Sequence, residues 1–273
     1  MANIIVGNDE NAALLEVTLM GLKLLVSEPG IIAITGGDLS PDINGKEVPM
    51  WKSIKVEEGD VIQFKGARSG CRSYLAVAGG FDVPQVLGSR ATDLVGKIGG
   101  MKGRALKKGD ILRVFPKSSD HLKGRRLPDD LIPEYTDDIQ IRVILGPQGE
   151  SFTEEGIRTF LSSTYKVTQQ VDRMGCRLDG PVIEHVESAD IISEGIFYGA
   201  IQVPKNGQPI IFLVGRQSIG GYTKIGGVIS VDLPKLGQVK PGDTVTFTEI
   251  PIEEAQEELK KQEYNFRILQ ATC

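Results

Sequence analysis

The 273-residue sequence predicts a mainly β protein in two domains, on three observations. Thirty-three glycines and fourteen prolines punctuate short apolar runs, the pattern of many strands joined by tight turns. One local design recurs at 56–64 (VEEGDVIQF), 106–114 (LKKGDILRV) and 239–247 (VKPGDTVTF). Each is a charged turn feeding a strand, in which Gly59, Gly109 or Gly242 takes a positive φ and the following Asp hydrogen-bonds nearby backbone. Asn44-Gly45 and Asn206-Gly207 supply the two left-handed positions of a tight hairpin, one in each half.

In chain order, Asn8 is placed to cap a short helix over Asp9 to Ala13. The stretch Ser118 to Asp138 is polar and proline-punctuated, with few β-branched residues, and reads as a linker with the domain boundary near residue 135. Strands resume at Ile139 to Leu145, and Ser151 with Glu154 forms a capping box ahead of Ile157, Phe160 and Leu161. Val203 and Ile210 to Val214 are the β-branched arms of the second hairpin. Pro251 opens a last helix carrying Ala255 and Leu259 on one face. The helices are short and are expected to plug barrel ends or pack on sheet edges. The order of elements in the two halves does not match well enough to establish a duplication.

Lys and Arg total 31 against 36 Asp and Glu, a net charge of −5 with no basic-aromatic stripe, so nucleic acid is not an expected partner. No apolar run reaches a membrane-spanning length, and Asp9 and Glu10 stand where a signal peptide carries basic residues, so a cytoplasmic protein is expected. Cys71, Cys176 and Cys273 make neither a metal spacing nor a disulfide framework. His121 and His185 have no Ser, Cys or metal-ligand partner in reach, which argues against a histidine-based triad and against a metal centre. The P-loop pattern fails at Ala91, and no GxGxxG occurs. Met101-Lys102-Gly103 lacks the second methionine of a biotin-bearing hairpin, so no covalently bound biotin is expected on this chain.

The remaining candidates for chemistry are polar side chains on glycine-rich turns. Gln217, Ser218, Gly220, Gly221, Tyr222 and Lys224 set donors, acceptors and a cation beside backbone with little side-chain cover, where a small ligand can reach main-chain N–H groups. A Gly-Gly bulge that only bends a strand is the alternative. Arg72 and Tyr74, two apart on a strand, share a face and together suit a carboxylate; alternatively Arg72 is exposed and Tyr74 packs. Arg173, Gln202, Lys205, Asn206 and Gln208 add amide and cationic donors in the second half, suited to an amide-bearing acid or a phosphorylated intermediate. Arg72, Tyr74, Arg173, Gln217, Tyr222 and Lys224 are taken as catalytic candidates, and Gln202, Lys205, Asn206, Gln208, Gly220 and Gly221 as substrate-binding ones. Cys176, flanked by Arg173 and Arg177, is read as a small buried hydrophobe rather than an activated thiol.

RSYLAVAGGFDVPQVLGSRATD at 72–93, RMGCRLDG at 173–180, GAIQVPKNGQPI from Gly199 and GGYTKIGG from Gly220 together resemble the C subunit of bacterial 5-oxoprolinase. That family is also called allophanate hydrolase subunit 2 or the Kip inhibitor antagonist, and it is similar to part of the carboxyltransferase region of urea carboxylase. The resemblance runs from roughly Ile5 to Leu259, and Cys176 departs from it where the family often has an aromatic residue. It implies two cyclophilin-like β-barrel domains, with 1–135 as the first carboxyltransferase-type subdomain and 136–273 as the second. It also implies a subunit of an ATP-dependent enzyme that opens 5-oxo-L-proline to L-glutamate, with ATP used at the level of the complex. The implied partners are the B subunit, similar to the Kip inhibitor, and the A subunit. Two other readings follow from the same resemblance: a regulatory protein that sequesters a kinase inhibitor, and a component transferring a carboxyl group from a biotin carrier to urea or a related small amide. Members of the family begin with a further few dozen residues ahead of the segment matched by ANIIVGNDENAALLEV. Without them the first barrel is expected to lack a strand, be catalytically weak and favour homo-oligomerisation or tight binding to the B subunit.

Overall fold

The structure, a computed structural model, describes residues 1–117 and 122–272, and His121 lies outside them. Two compact units divide the chain, residues 1–134 with 267–273 and residues 135–266. Strand is the dominant element in both.

The first unit opens with a buried helical turn, α1 (Ala2–Ile5), followed by β1 (Leu15–Thr18), β2 (Lys23–Leu25), β3 (Gly30–Asp38), β4 (Pro41–Ile43), β5 (Lys46–Glu47), β6 (Ser53–Val56), β7 (Val61–Phe64) and β8 (Ser69–Val77). These strands make two four-stranded sheets, ordered β1-β8-β3-β6 and β2-β7-β4-β5. Ile32, Ile34, Leu39, Ile62, Phe64 and Leu75 fill the core beneath them. Alternation along β8 turns Cys71, Ser73 and Leu75 inward.

In the second unit β9 (Asp138–Leu145), β10 (Tyr165–Val171), β11 (Gly175–Asp179), β13 (Ala200–Gln202), β14 (Ile210–Phe212), β16 (Lys224–Val228) and β17 (Thr244–Glu249) close a barrel in the order β10-β11-β14-β13-β16-β9-β17. Strands β12 (Asp190–Gly195) and β15 (Ile219–Tyr222) pair with each other as a separate ribbon. The helices α2 (Glu154–Ser162) and α3 (Leu233–Leu236) belong to this unit, as does α4 (Ile252–Thr272) up to Phe266; from Arg267 on that helix counts with the first unit. Phe160 of α2 is fully buried and stacks on Phe247 of β17 at 4.3 Å between ring centroids. The second unit thus has the expected closed ring, whereas the first has two open sheets.

Local turn chemistry behaves as the sequence predicts wherever it is self-contained. Asn44 and Gly45 have φ of 54° and 81° and join Ile43 to its cross-strand partner Lys46 in two residues. In all three Gly-Asp turns the glycine φ is positive, at 89°, 90° and 100°. In each, the Asp carboxylate accepts the backbone N–H three residues earlier, at 2.8 Å (Glu57 to Asp60), 2.7 Å (Lys107 to Asp110) and 2.9 Å (Lys240 to Asp243). The second of these turns feeds no extended strand, only an isolated bridge between Phe81 and Val114.

Other expectations are corrected. Asn206 is not left-handed: Gly207 N–H closes a turn on the Pro204 carbonyl at 2.9 Å, and the paired residues Gln202 and Ile210 are separated by a longer loop. Asn8 caps no helix over 9–13; its amide instead donates to Val77 O and accepts from Gly79 N, both at 2.8 Å. Helix α2 is capped by Thr153, whose hydroxyl accepts from Gly156 N at 2.9 Å, rather than by Ser151. Helix α4 runs 21 residues and so is not short; no helix among the described residues is long and apolar enough to cross a membrane. Residues 122–127 of the expected linker are stitched to the first unit, since Ser53 N donates to Arg125 O, Leu127 N to Trp51 O, and Leu122 and Leu127 are buried.

Phe160→Ala removes a fully buried ring from the stacked pair with Phe247 and is expected to cost about 3–5 kcal/mol in urea denaturation.

Candidate functional site

Unit one holds a cavity of ≈860 Å³, inside the size range of small-molecule sites. Its walls are the loop after α1 (Asn8–Leu14), the Gly79-Gly80-Phe81 turn after β8, Gly88–Thr92 and Phe115–Lys117. Each wall is tied down. Asn3 Nδ2 donates to Ala12 O at 2.8 Å, and Asn8 clamps its own loop to the end of β8 through Val77 and Gly79. Arg90 lays its guanidinium 5.4 Å over the Phe115 ring and donates to Val83 O, while Lys117 Nζ donates to Gly7 O. Glycine is required at one wall: Gly79 has φ 98°, and a β-carbon there would sit 2.0 Å from Phe115 O. Arg90 and Lys117 supply positive charge, Ser89, Thr92 and Asn11 neutral hydrogen-bonding groups, and Asp9 and Glu10 carboxylates. Such a lining, with its charges balanced, suits a small polar ligand.

None of the twelve candidates chosen from the sequence lines this cavity. Arg72 and Tyr74 do share a face of β8, opposite Thr18 and Glu16 of β1, and Arg72 Nε lies 3.8 Å from Glu16 Oε1. Arg72 also donates to Cys71 Sγ at 3.2 Å. The cavity residues were visible in the sequence only within the block 72–93, where Gly79-Gly80 and Gly88 precede Ser89-Arg90; the wall from Asn8 to Leu14 carries no motif.

Unit two gathers a second polar group from the candidates. Lys224 is 2% exposed, and its ammonium donates to Glu194, 43% exposed, on β12. Gln148 bridges them, donating to Glu194 Oε1 at 2.7 Å and accepting Lys224 N–H at 3.0 Å. Buried Gln202 donates to Tyr222 O at 2.9 Å. Gly220 and Gly221 are not open to a ligand: a β-carbon at Gly220 would meet Ile196 at 2.6 Å and the Gln202 amide at 3.1 Å, and one at Gly221 would meet Ser193 Oγ at 3.3 Å. These glycines let side chains pack against the ribbon, whose β12–β15 ladder carries a register irregularity between Asp190 and Glu194.

The other candidates lie apart. Gln208 spends its amide on Gly180, accepting from its N–H at 2.8 Å and donating to its carbonyl at 3.0 Å. Asn206 accepts from Gln208 N, and exposed Lys205 pairs with Asp190 at 2.7 Å. Arg173 and Gln217 are exposed on loops. His185 Nε2 lies 3.1 Å from both Val203 O and Thr223 Oγ1; since the carbonyl only accepts, that nitrogen carries the proton. Burial, reinforced by Asp243, pushes the Cys176 thiol up to about 12, so this cysteine is an inert core residue.

The carboxyltransferase domain, subdomain A and B, family matches residues 1–249. The chain is 35% identical over 269 residues to the C subunit of Escherichia coli (strain K12) 5-oxoprolinase, covering 98% of this chain and 85% of that protein. It is 35% identical to Saccharomyces cerevisiae urea amidolyase over 100% of this chain but 16% of that protein. The crystal structure of Kluyveromyces lactis urea carboxylase superposes with a TM-score of 0.92 at 32% identity, covering 98% of this chain and 25% of that one. The chain therefore spans most of one relative and a quarter or less of the other two.

Two outcomes test these sites. Gly79→Ala and Gly45→Ala both place alanine in left-handed backbone, but only Gly79 faces a carbonyl. Gly45→Ala should cost about 1–2 kcal/mol and Gly79→Ala clearly more, read by urea denaturation. Hydrogen bonds from Lys224 and then Gln148 hold the Glu194 carboxyl below its ordinary 4.5. A depressed carboxylate stabilises above its unfolded value, and the contribution disappears as pH falls through the folded one. Lys224→Met should flatten the fall of Tm on acidification through that window.

Proposed function

Since this chain belongs to the carboxyltransferase domain, subdomain A and B, family, we propose that it is the C-type subunit of an ATP-dependent 5-oxoprolinase, opening 5-oxo-L-proline to L-glutamate with A and B partner subunits. The observation that carries this reading is length: the E. coli 5-oxoprolinase subunit is matched over 85% of itself, the yeast urea amidolyase over 16%. In this reading the cavity of the first unit takes the substrate, with Arg90 and Lys117 receiving its carboxylate by charge-assisted hydrogen bonds. Phosphoryl transfer from ATP to the lactam oxygen activates the carbonyl carbon. One water adds there, donors stabilise the tetrahedral oxyanion, and the C–N bond breaks as the nitrogen takes a proton, leaving an acyl phosphate that a second water hydrolyses to glutamate and phosphate.

Carboxyl transfer from a biotin carrier to urea is the second reading, favoured by the TM-score of 0.92 to urea carboxylase. It needs a biotin-bearing partner.

The chain mixed with the products of its neighbouring genes, ATP and 5-oxoproline should form glutamate, and should form none when ATP is withheld. Carboxylation of urea by a biotin-carrying mixture, with no glutamate from 5-oxoproline, would favour the second reading. Arg90→Ala should lower kcat/KM at least about tenfold, mainly through KM, the loss of one hydrogen bond to a charged group. Arg72→Ala and Tyr222→Phe test the candidates outside the cavity, and unchanged turnover removes each from the site.

A further inference from the structure

After β8 the chain runs from Gln85 to Lys117 without a helix or strand, crossed only by isolated bridges such as Asp93–Ile98. A stretch this long without regular structure usually serves function. It is not a slack tail. Arg104 grips Asp110 through two bonds of 2.7 and 2.8 Å, and a β-carbon at Gly103 would fall 2.0 Å from the Lys97 carbonyl, so the coil is built around close backbone contact.

Its charge is opposite to that of the chain. Eight Lys and Arg stand against two Asp, a net of +6 within a protein of net −5. Asp110 neutralises Arg104, whereas Lys97, Lys102, Lys107, Lys108 and Arg113 are exposed and make no ion pair among the described residues. Among these cations stand aliphatic side chains left almost wholly in water: Leu87 at 96% exposure, Val95 at 82% and Ile111 at 80%. Neither a charged cluster nor a singly exposed aliphatic is a site by itself; here both occur together on one long irregular stretch. The same segment walls the cavity at both of its ends, through Gly88–Thr92 and Phe115–Lys117.

We propose that residues 85–117 are the docking surface for an acidic face of a partner protein, which roofs the cavity when it docks. Charge complementarity calls for an acidic occupant. The apolar contacts offered are mostly aliphatic; Phe115, 38% exposed with the Arg90 guanidinium over its ring, is the one aromatic, so the successive stacking platforms that single-stranded nucleic acids use are missing from this segment. A membrane surface is disfavoured because the aliphatics do not lie on one face of a helix. The inference rests on the multi-subunit reading above but not on the reaction assigned to it.

The test uses the full-length chain and the purified products of the neighbouring genes, with binding measured by titration calorimetry apart from any turnover. Affinity should fall steeply between about 50 and about 500 mM salt. Simultaneous Lys→Glu changes at 97, 102, 107 and 108 should weaken binding about 100-fold or more, and Leu87→Ser with Val95→Ser and Ile111→Ser about tenfold or more. Both variants should keep the wild-type circular dichroism spectrum and Tm. Wild-type affinity in both variants, or no binding by the wild type, overturns the proposal. So does preferential binding of the wild-type segment to anionic lipid vesicles or to a mixed-sequence oligonucleotide. Assembly that depends on the segment but yields no glutamate sinks the reaction and leaves the docking surface standing; full glutamate output from the charge-reversed complex does the opposite.

Discussion

The second unit stands on the parallel pairing of β9 with β17. Six consecutive pairs, from Thr244 with Asp138 to Glu249 with Val143, join residues about a hundred positions apart, and no tight turn can connect parallel neighbours. The intervening chain must therefore lay down every other barrel strand before β17 returns to close the ring. Closure removes the sheet edges and encloses Phe247, Tyr165 and Phe160. It also places Arg142 of β9 where its guanidinium takes both oxygens of buried Asp232, at 2.9 and 3.1 Å, fixing the start of α3. Burial drives the Asp232 carboxyl upward, but Arg142 and Lys235 outweigh it and hold the group charged.

Within that ring the ribbon β12–β15 is an addition, held down by Lys224 reaching from β16 to Glu194. A lysine so deeply buried is tolerable only when paired and hydrogen-bonded. Gln148 completes the arrangement, and the glycines of β15 and β16 make room for it. Gly220 admits Ile196 and Gln202, and Gly227 lets the Phe197 ring lie where a β-carbon would be 2.7 Å away. Polarity at this place holds two pieces of sheet together, which is a structural use of residue types that also suit a ligand.

The first unit is organised differently. Its two sheets are open, and its cavity is built from the irregular segments leaving α1 and β8, which the Asn3 and Asn8 amides and the Arg90 guanidinium stake to the scaffold. Irregular segments positioned by a rigid sheet are the usual carriers of binding groups. Because two of the cavity walls, Gly88–Thr92 and Phe115–Lys117, are the ends of the basic, aliphatic-tipped coil, ligand binding and partner docking would act on one segment.

Amino-acid order alone dictates whatever closes within a few residues. The three Gly-Asp turns and the Asn44-Gly45 hairpin follow from φ freedom and a carboxylate reaching an N–H three positions back, and they form where predicted. The mainly β class followed from the density of such turns. Long-range packing set the rest. The same Asn-Gly dipeptide at 206–207 became part of a longer loop because Gln208 is engaged by Gly180, and Asn8 left its capping role because Val77 and Gly79 come within reach of its amide. Residues 122–127, polar in sequence, became part of the first unit because Trp51 and Ser53 pair with their backbone. The cavity was unreadable for the same reason: its walls come from segments some seventy residues apart, and long-range approach leaves no periodicity in the chain.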